Sequence, residues 1–277
     1  MKLTEATREP KRKTARARKL FQEAEAELDA WSSANPIVAR LVPHDSRMKI
    51  DIVVEAGTEP PLDAVALTVG DAVHNLRSAL DNLAWTLAHL PGLPKNPKSI
   101  YFPVCEKLSA WDKATKDLAS IPKPILERVK TLQPFTFPKN EECFLWQLHK
   151  LDIADKHRSY LSALAQWQGS DIEGLALDVE ADTTVRTLAA NPRLSTMRNQ
   201  VIGSIELSKP YHNQTPIRAT VGVDTLFVVT YEEGGPAFSV GDMAKSFPAI
   251  VDGMIDLVCL GEVGPDQITE ERHFIGP

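Results

Sequence analysis

The sequence predicts an α+β fold, and three observations carry that reading. Apolar residues recur at helical spacing over about 61–90 and 142–168, the period switches to alternation after residue 171, and helical spacing returns over about 239–260. A helix buries one stripe and an alternating strand buries one face, so the pattern calls for a helical core with a sheet beside it.

The elements follow in order. A basic run (Arg8, Lys11, Arg12, Lys13, Arg16, Arg18, Lys19) leads into Leu20–Trp31, where Leu20, Phe21, Ala24, Leu28 and Trp31 fall near one side of a helix. Asn35-Pro36 ends it, because a proline disfavours helical geometry in the residue before it. Residues 37–42 and 48–55 flank the turn-forming Pro43-His44-Asp45-Ser46, and Met48, Ile50, Ile52 and Val54 alternate with more polar neighbours, the pattern of a β-hairpin. Glu59-Pro60-Pro61 opens a long helix over 62–90, closed by Pro91-Gly92. Shorter helices are expected near 107–119 and 123–132, and a loop holding Pro134 and Pro138 leads into the helix over 142–168. Leu175, Leu177 and Val179 then alternate, followed by strands over 197–207 and 217–231, an antiparallel sheet. The final helix is capped by Ser239 or Gly241-Asp242 and carries Phe247, Ile250, Val251, Met254, Leu257 and Val258 as its buried stripe, with a kink or restart at Pro248. The tail after Gly261 is polar and expected to be loose. The division is a basic amphipathic helix at 1–35, a hairpin plus helical core at 36–168, and a sheet with its C-terminal helix at 169–277, packed on the core as one domain.

Composition excludes several function classes. Hydrophobic residues make up 43% and charged residues 25% of the 277, which supports a packed core and rules out a mainly disordered chain. A net charge of −6 argues against a whole-surface nucleic-acid footprint, leaving nucleic acid only the basic run, which the acidic stretch after it marks as a solvated helix face. Cys105, Cys143 and Cys259 are far apart, odd in number and in no CxxC pair, so neither a disulfide framework nor a zinc cage is indicated and a reducing compartment fits. No signal-peptide core and no apolar run of ~18 residues is present, so a soluble, cytoplasmic protein without a membrane partner is expected. GxGxxG, Walker A, HExxH and GxSxG motifs are absent, and no cofactor is expected.

Two helices hold the residues that could carry chemistry. Along 62–90, Val65, Val69, Ala72, Val73, Leu76, Leu80, Leu83 and Leu87 form the core-facing stripe. The opposite side runs Asp71, His74, Ser78, Asp81, Trp85 with Arg77 at its edge, short polar groups leading into a tryptophan, as on a face covered by another element. On the second helix Leu145, His149, Asp152, Lys156, Tyr160, Ala163 and Trp167 recur at steps of three and four, so three ionisable groups interrupt an apolar stripe. Asp152 and Lys156 pair locally, and His157 and Arg158 lie off the stripe. The candidates are therefore His74, Arg77, Asp81, His149, Asp152, Lys156 and His157. Asp71, His74, Arg77, Asp81, His149, Asp152 and Lys156 can form a buried polar latch that sets helix register, or the helices can hold a metal site built on the facing Asp71-xx-His74 and His149-xx-Asp152 pairs, an echo of the Glu-xx-His pairs of di-metal bundles. Lys156 supplies the positive charge a metal would, so no metal is expected.

The runs Gly70–Trp85 (GDAVHNLRSALDNLAW) and Leu148–Arg158 (LHKLDIADKHR), the N-terminal KTARARKLFQEAEAELDAW and the connecting LQPF resemble a recurring family of uncharacterised bacterial and phage proteins over about the first 165 residues. The resemblance implies a shared element order and helical core, with a more divergent β-rich part, and carries no activity. The paired helices also resemble the architecture of HEPN ribonucleases, which cleave RNA with an Arg and a His separated by four to six intervening residues on one helix. No Arg in this chain precedes a His at that spacing: Arg40 and His44 are closer and straddle a turn. The expectation is a non-enzymatic binding or regulatory protein of bacterial or phage origin acting through a protein partner or self-association; the alternative is an HEPN-like RNA-binding or RNA-cleaving enzyme that uses the polar cluster of the two long helices.

Overall fold

Helical spacing over 62–90 closes into one continuous helix whose whole predicted stripe, from Val65 to Leu87, is fully buried. The computed structural model describes residues 3–36, 38–55, 58–157, 161–173, 175–189, 193–194, 198–213, 217, 220–232 and 235–261, so the C-terminal tail lies outside the described residues. The fold is α+β. Its elements are α1 (Leu3–Ala6), α2 (Arg8–Ala34), β1 (Val38–Pro43), β2 (Lys49–Glu55), α3 (Leu62–His89), α4 (Leu108–Ala114), α5 (Lys123–Thr131), α6 (Phe144–His157), β3 (Ser162–Glu173), β4 (Val185–Ala189), β5 (Arg193–Leu194), β6 (Arg198–Leu207), β7 (Thr220–Thr230), β8 (Ala237–Ser239) and α7 (Val240–Leu260). They group into two units, each assembled from separate segments: a helical unit from the described parts of Met1–Glu25, Ala66–Ser162 and Thr230–Pro277, and a β unit from those of Ala26–Val65 and Ala163–Val229.

In the helical unit, the stripes of α2, α3, α6 and α7 supply the core: Phe21, Leu76, Leu80, Leu83, Leu87, Leu145, Leu148, Leu151, Val251 and Ile255 are all buried. Phe247 of α7 receives Phe21, Phe144 and Phe238 edge-on at centroid distances of 6.3, 4.9 and 6.0 Å, the geometry that sets the electropositive ring edge against a π face. Ser239 caps α7 by accepting from the Asp242 N–H at 3.3 Å, and Gly261, at φ +77°, closes it in the left-handed conformation that glycine adopts without a Cβ penalty. The helix continues through Pro248. Its stripe is shifted from the one expected: Ile250 is 38% exposed, whereas Ile255, on the other flank of Val251 and Met254, is fully buried. Arg128 of α5 donates to the Val258 and Cys259 carbonyls at 2.8 and 3.4 Å, satisfying the end of α7 where the helix dipole favours a cation.

The expected helix over 142–168 is two elements. α6 ends at His157 and β3 starts at Ser162. Leu161, Ala163 and Ala165 are buried at a period of two, with Ser162 exposed between them, which is the strand signal. The three-and-four spacing of Tyr160, Ala163 and Trp167 imitates a helix by coincidence; Tyr160 and Arg158 lie outside the described residues, and Trp167 is a strand residue.

The β unit holds a four-stranded antiparallel sheet in the order β1-β2-β6-β4, and strands ordered β5-β3-β7 that face it. Trp31, Ile52, Val54, Ala165 and Ile202 form one core cluster between the sheets, and Ile50, Ile205, Leu207 and Tyr211 a second. Trp31 packs edge-on against Phe227 at 5.9 Å and donates from Nε1 to Thr58 at 3.1 Å, so the buried indole N–H is satisfied. Gly203 pairs with Ala189, and a Cβ there would lie 2.9 Å from the Leu188 carbonyl oxygen, so the close approach of β4 requires glycine. Residues 175–179 alternate as expected, with Leu175, Leu177 and Val179 packed on the second cluster, but form no strand. Their polar backbone is bound individually instead: Asn213 accepts from the Asp178 N–H at 2.7 Å and donates to the Ala176 carbonyl at 2.9 Å, and His212 N–H donates to the Asp178 carbonyl at 2.7 Å.

Candidate functional site

The two long motifs of the sequence meet. Within the helical unit α3 and α6 face each other along a polar seam, and its levels climb α3 in helical steps while they descend α6: Gly70 with Asp155, His74 with Asp152, Arg77 with His149. At the first level the absent side chain is what matters, since a Cβ on Gly70 would stand 2.9 Å from the Asp155 carboxyl carbon. Burial and the nearby charges of Asp71 and Asp152 push the Asp155 carboxyl above the ordinary aspartate range.

At the second level Asp152 accepts from His74 Nδ1 at 3.0 Å and from Lys156 Nζ at 2.8 Å, one partner on each oxygen. Its side chain is 6% exposed, against 47% for His74 and 40% for Lys156. The carboxylate is therefore buried and the two groups that donate to it reach solvent, an arrangement in which the carboxylate depends on both partners.

The third level reaches beyond the helices. Buried Arg77 donates from Nη2 to the Phe102 carbonyl at 2.7 Å, and Asp81, one turn along α3, accepts from the Phe102 N–H at 2.9 Å. One residue of a segment outside any helix or strand is thus held at both backbone groups, as a neighbouring strand would hold it. Arg77 Nη1 lies 3.0 Å from Asp81 Oδ1 without hydrogen-bond alignment, so the contact is an ion pair only. Fully buried Gln133 completes the clamp, accepting from the Cys105 N–H at 3.0 Å and donating to the Pro103 and Val129 carbonyls at 3.1 and 3.2 Å. Gln133 is the Gln of LQPF; sequence reasoning quoted that run for resemblance and assigned its glutamine no role.

His149 sits against a groove of about 520 Å³ lined by Val104, Glu106, Lys107, Ser109, Ala110, Lys113, His149 and Lys150. Burial and the Arg77 guanidinium push the imidazole down to about 4, and its buried Nδ1 has no hydrogen-bond partner among the described residues. Glu106 on the same wall accepts from Trp146 Nε1 at 2.8 Å and pairs with Lys150 at 3.2 Å, which holds its carboxyl below the usual range.

The seam thus unites His74, Asp152 and Lys156, gives Arg77 and Asp81 to the clamp, and leaves His149 at the groove. His157 is the last residue of α6, and its side chain lies outside the described residues. Among the described residues no group of three or more His, Cys, Asp or Glu side chains is placed to hold a metal ion, and no helix is long and apolar enough to cross a membrane. Half the basic run of α2 is engaged inside the unit: Lys11 pairs with Asp256 at 2.7 Å and Arg18 with Asp252 at 2.9 Å, both on α7, while Arg12 and Arg16 pair with Glu9 and Glu23 of α2 itself. Comparison with protein families, with characterised proteins and with solved structures finds no match to this chain.

Proposed function

We propose that this is a non-enzymatic binding or regulatory protein that acts through protein contacts, and that the α3–α6 cluster is the latch that holds its binding face in shape. The commitment of the cluster to internal partners supports the reading. Asp152 accepts from His74 and Lys156, and Arg77 and Asp81 serve the backbone of Phe102. His149, pushed down to about 4, is neutral near pH 7 and a poor proton donor there, which weighs against the RNA-cleaving alternative. Large apolar side chains stand exposed on the same unit, Tyr101 at 62% and Trp85 at 45%, Trp85 stacked on His89 at 4.2 Å.

Site-specific photocrosslinking tests the reading. A photoreactive residue at position 101 should give a discrete covalent adduct, with a partner protein or a second copy, and one at exposed Asp45 should not. No adduct at 101, together with cleavage of a labelled RNA that is lost in His149→Ala at unchanged stability, would install the RNA-processing alternative instead.

A further inference from the structure

We propose that the groove beside His149 takes an acidic, extended segment of the partner protein, whose carboxylates lie against Lys107, Lys113 and Lys150. The proposal deepens the protein-contact reading above and rests on it. Charge carries it first. The chain bears a net −6, yet the groove wall presents three lysines and one glutamate. That glutamate, Glu106, is already engaged by Trp146 and Lys150, while exposed Lys107 and Lys113 have no ion pair among the described residues. A local excess of cations on an acidic protein selects acidic ligands and steers their approach.

Shape carries it next. Residues 101–105 belong to no helix or strand and are fixed by Asp81, Arg77 and Gln133, so the rim of the groove is held before any ligand arrives. Exposed Tyr101 stands at one end of this rim and the groove residues Val104, Glu106 and Lys107 at the other.

His149 adds a signature. Its buried Nδ1 is unpartnered, and the charges around it are Arg77 of α3 and Lys150 of α6, which disfavour its protonation, and Asp152 of α6 and Glu106 of the wall, which favour it. A carboxylate entering the groove adds to the second set. Binding therefore raises the proton affinity of the imidazole above its free value of about 4 and strengthens as the pH falls toward that value.

Fluorescence anisotropy of the full chain with a labelled hexaglutamate peptide tests this. The peptide should bind, Lys107→Glu with Lys113→Glu should weaken it roughly tenfold or more without moving the unfolding midpoint, and His149→Gln should flatten the pH dependence. Equal binding by the charge-reversed variant, or none by the wild type, would overturn the proposal. Tighter binding of a labelled RNA hexamer would overturn it in favour of nucleic acid, and displacement by inorganic phosphate alone would reduce the groove to a small-anion site. If the adduct at position 101 persists in the charge-reversed variant, the acidic-segment proposal fails and the protein-contact reading stands. If no adduct forms in either protein, the reading itself fails.

Discussion

Two ionic seams join helices in the same unit, one between α3 and α6 and one between α2 and α7, and they differ in which partner is buried. In the first, the Asp152 side chain is 6% exposed and its two donors, His74 and Lys156, are 47% and 40% exposed. In the second, Asp256 and Asp252 are 16% and 17% exposed, and Lys11 and Arg18 are 41% and 42% exposed. The partners are alike and the distances similar, so burial of the anion decides the energetics. A carboxylate stripped of water needs its cations, and one at a wetter seam can exchange them for solvent.

The comparison breaks most sharply on an asymmetry. His74→Ala with Lys156→Ala leaves Asp152 buried and unpaired and should cost about 3–5 kcal/mol in denaturant unfolding, whereas Asp152→Leu, which leaves two donors that reach solvent, should cost far less. Equal losses would show that the seam is not an anion-centred latch. Gln133→Ala should cost about 2–3 kcal/mol, since it strands the buried Cys105 N–H and the Pro103 carbonyl; a loss within the ~0.5 kcal/mol of surface sites would mean the clamp is not holding. Asp252→Ala should cost about 1 kcal/mol, through the Thr14 hydroxyl bond at 2.5 Å more than the Arg18 pair, and added salt should change it little.

The smallest effect is a gain. The Asp155 carboxyl titrates above its ordinary value in the folded chain, so the native state holds the proton longer than the unfolded one. Its ionisation costs stability as pH rises through the folded value, and acidification below the ordinary value of 3.8 removes that cost. Asp155→Asn should therefore raise the unfolding midpoint near pH 7 and lose the advantage in strong acid. A lowered midpoint near pH 7 would place Asp155 among the stabilising pairs.

Periodicity made much of this legible. The α3 stripe, the hairpin and the buried side of α2 (Leu20, Phe21, Ala24, Leu28, Trp31) follow from apolar spacing alone, because each buries one face of a regular element. The same signal misled where two periods overlap, as at Ala163, and where a stripe is broad, as at Ile250 and Ile255. The Asp152–Lys156 pair is a local i,i+4 contact and was readable. Lys11 with Asp256 was not, since 245 residues separate them and only folding brings them together. Arg77, Asp81 and Gln133 bind backbone, and side chain–backbone bonds to an irregular segment leave no periodic trace in a sequence.

The clamped segment also has a consequence for solvent exchange. Phe102 and Cys105 belong to no helix or strand, yet their amide protons are held by Asp81 and Gln133, one partly buried and one fully buried acceptor. Hydrogen–deuterium exchange should find these two amides retained as long as those of α3, an island of slow protons inside a stretch that circular dichroism counts as coil. Their release marks the opening of the helical unit as a whole, which makes residues 102–105 a built-in reporter of global against local unfolding.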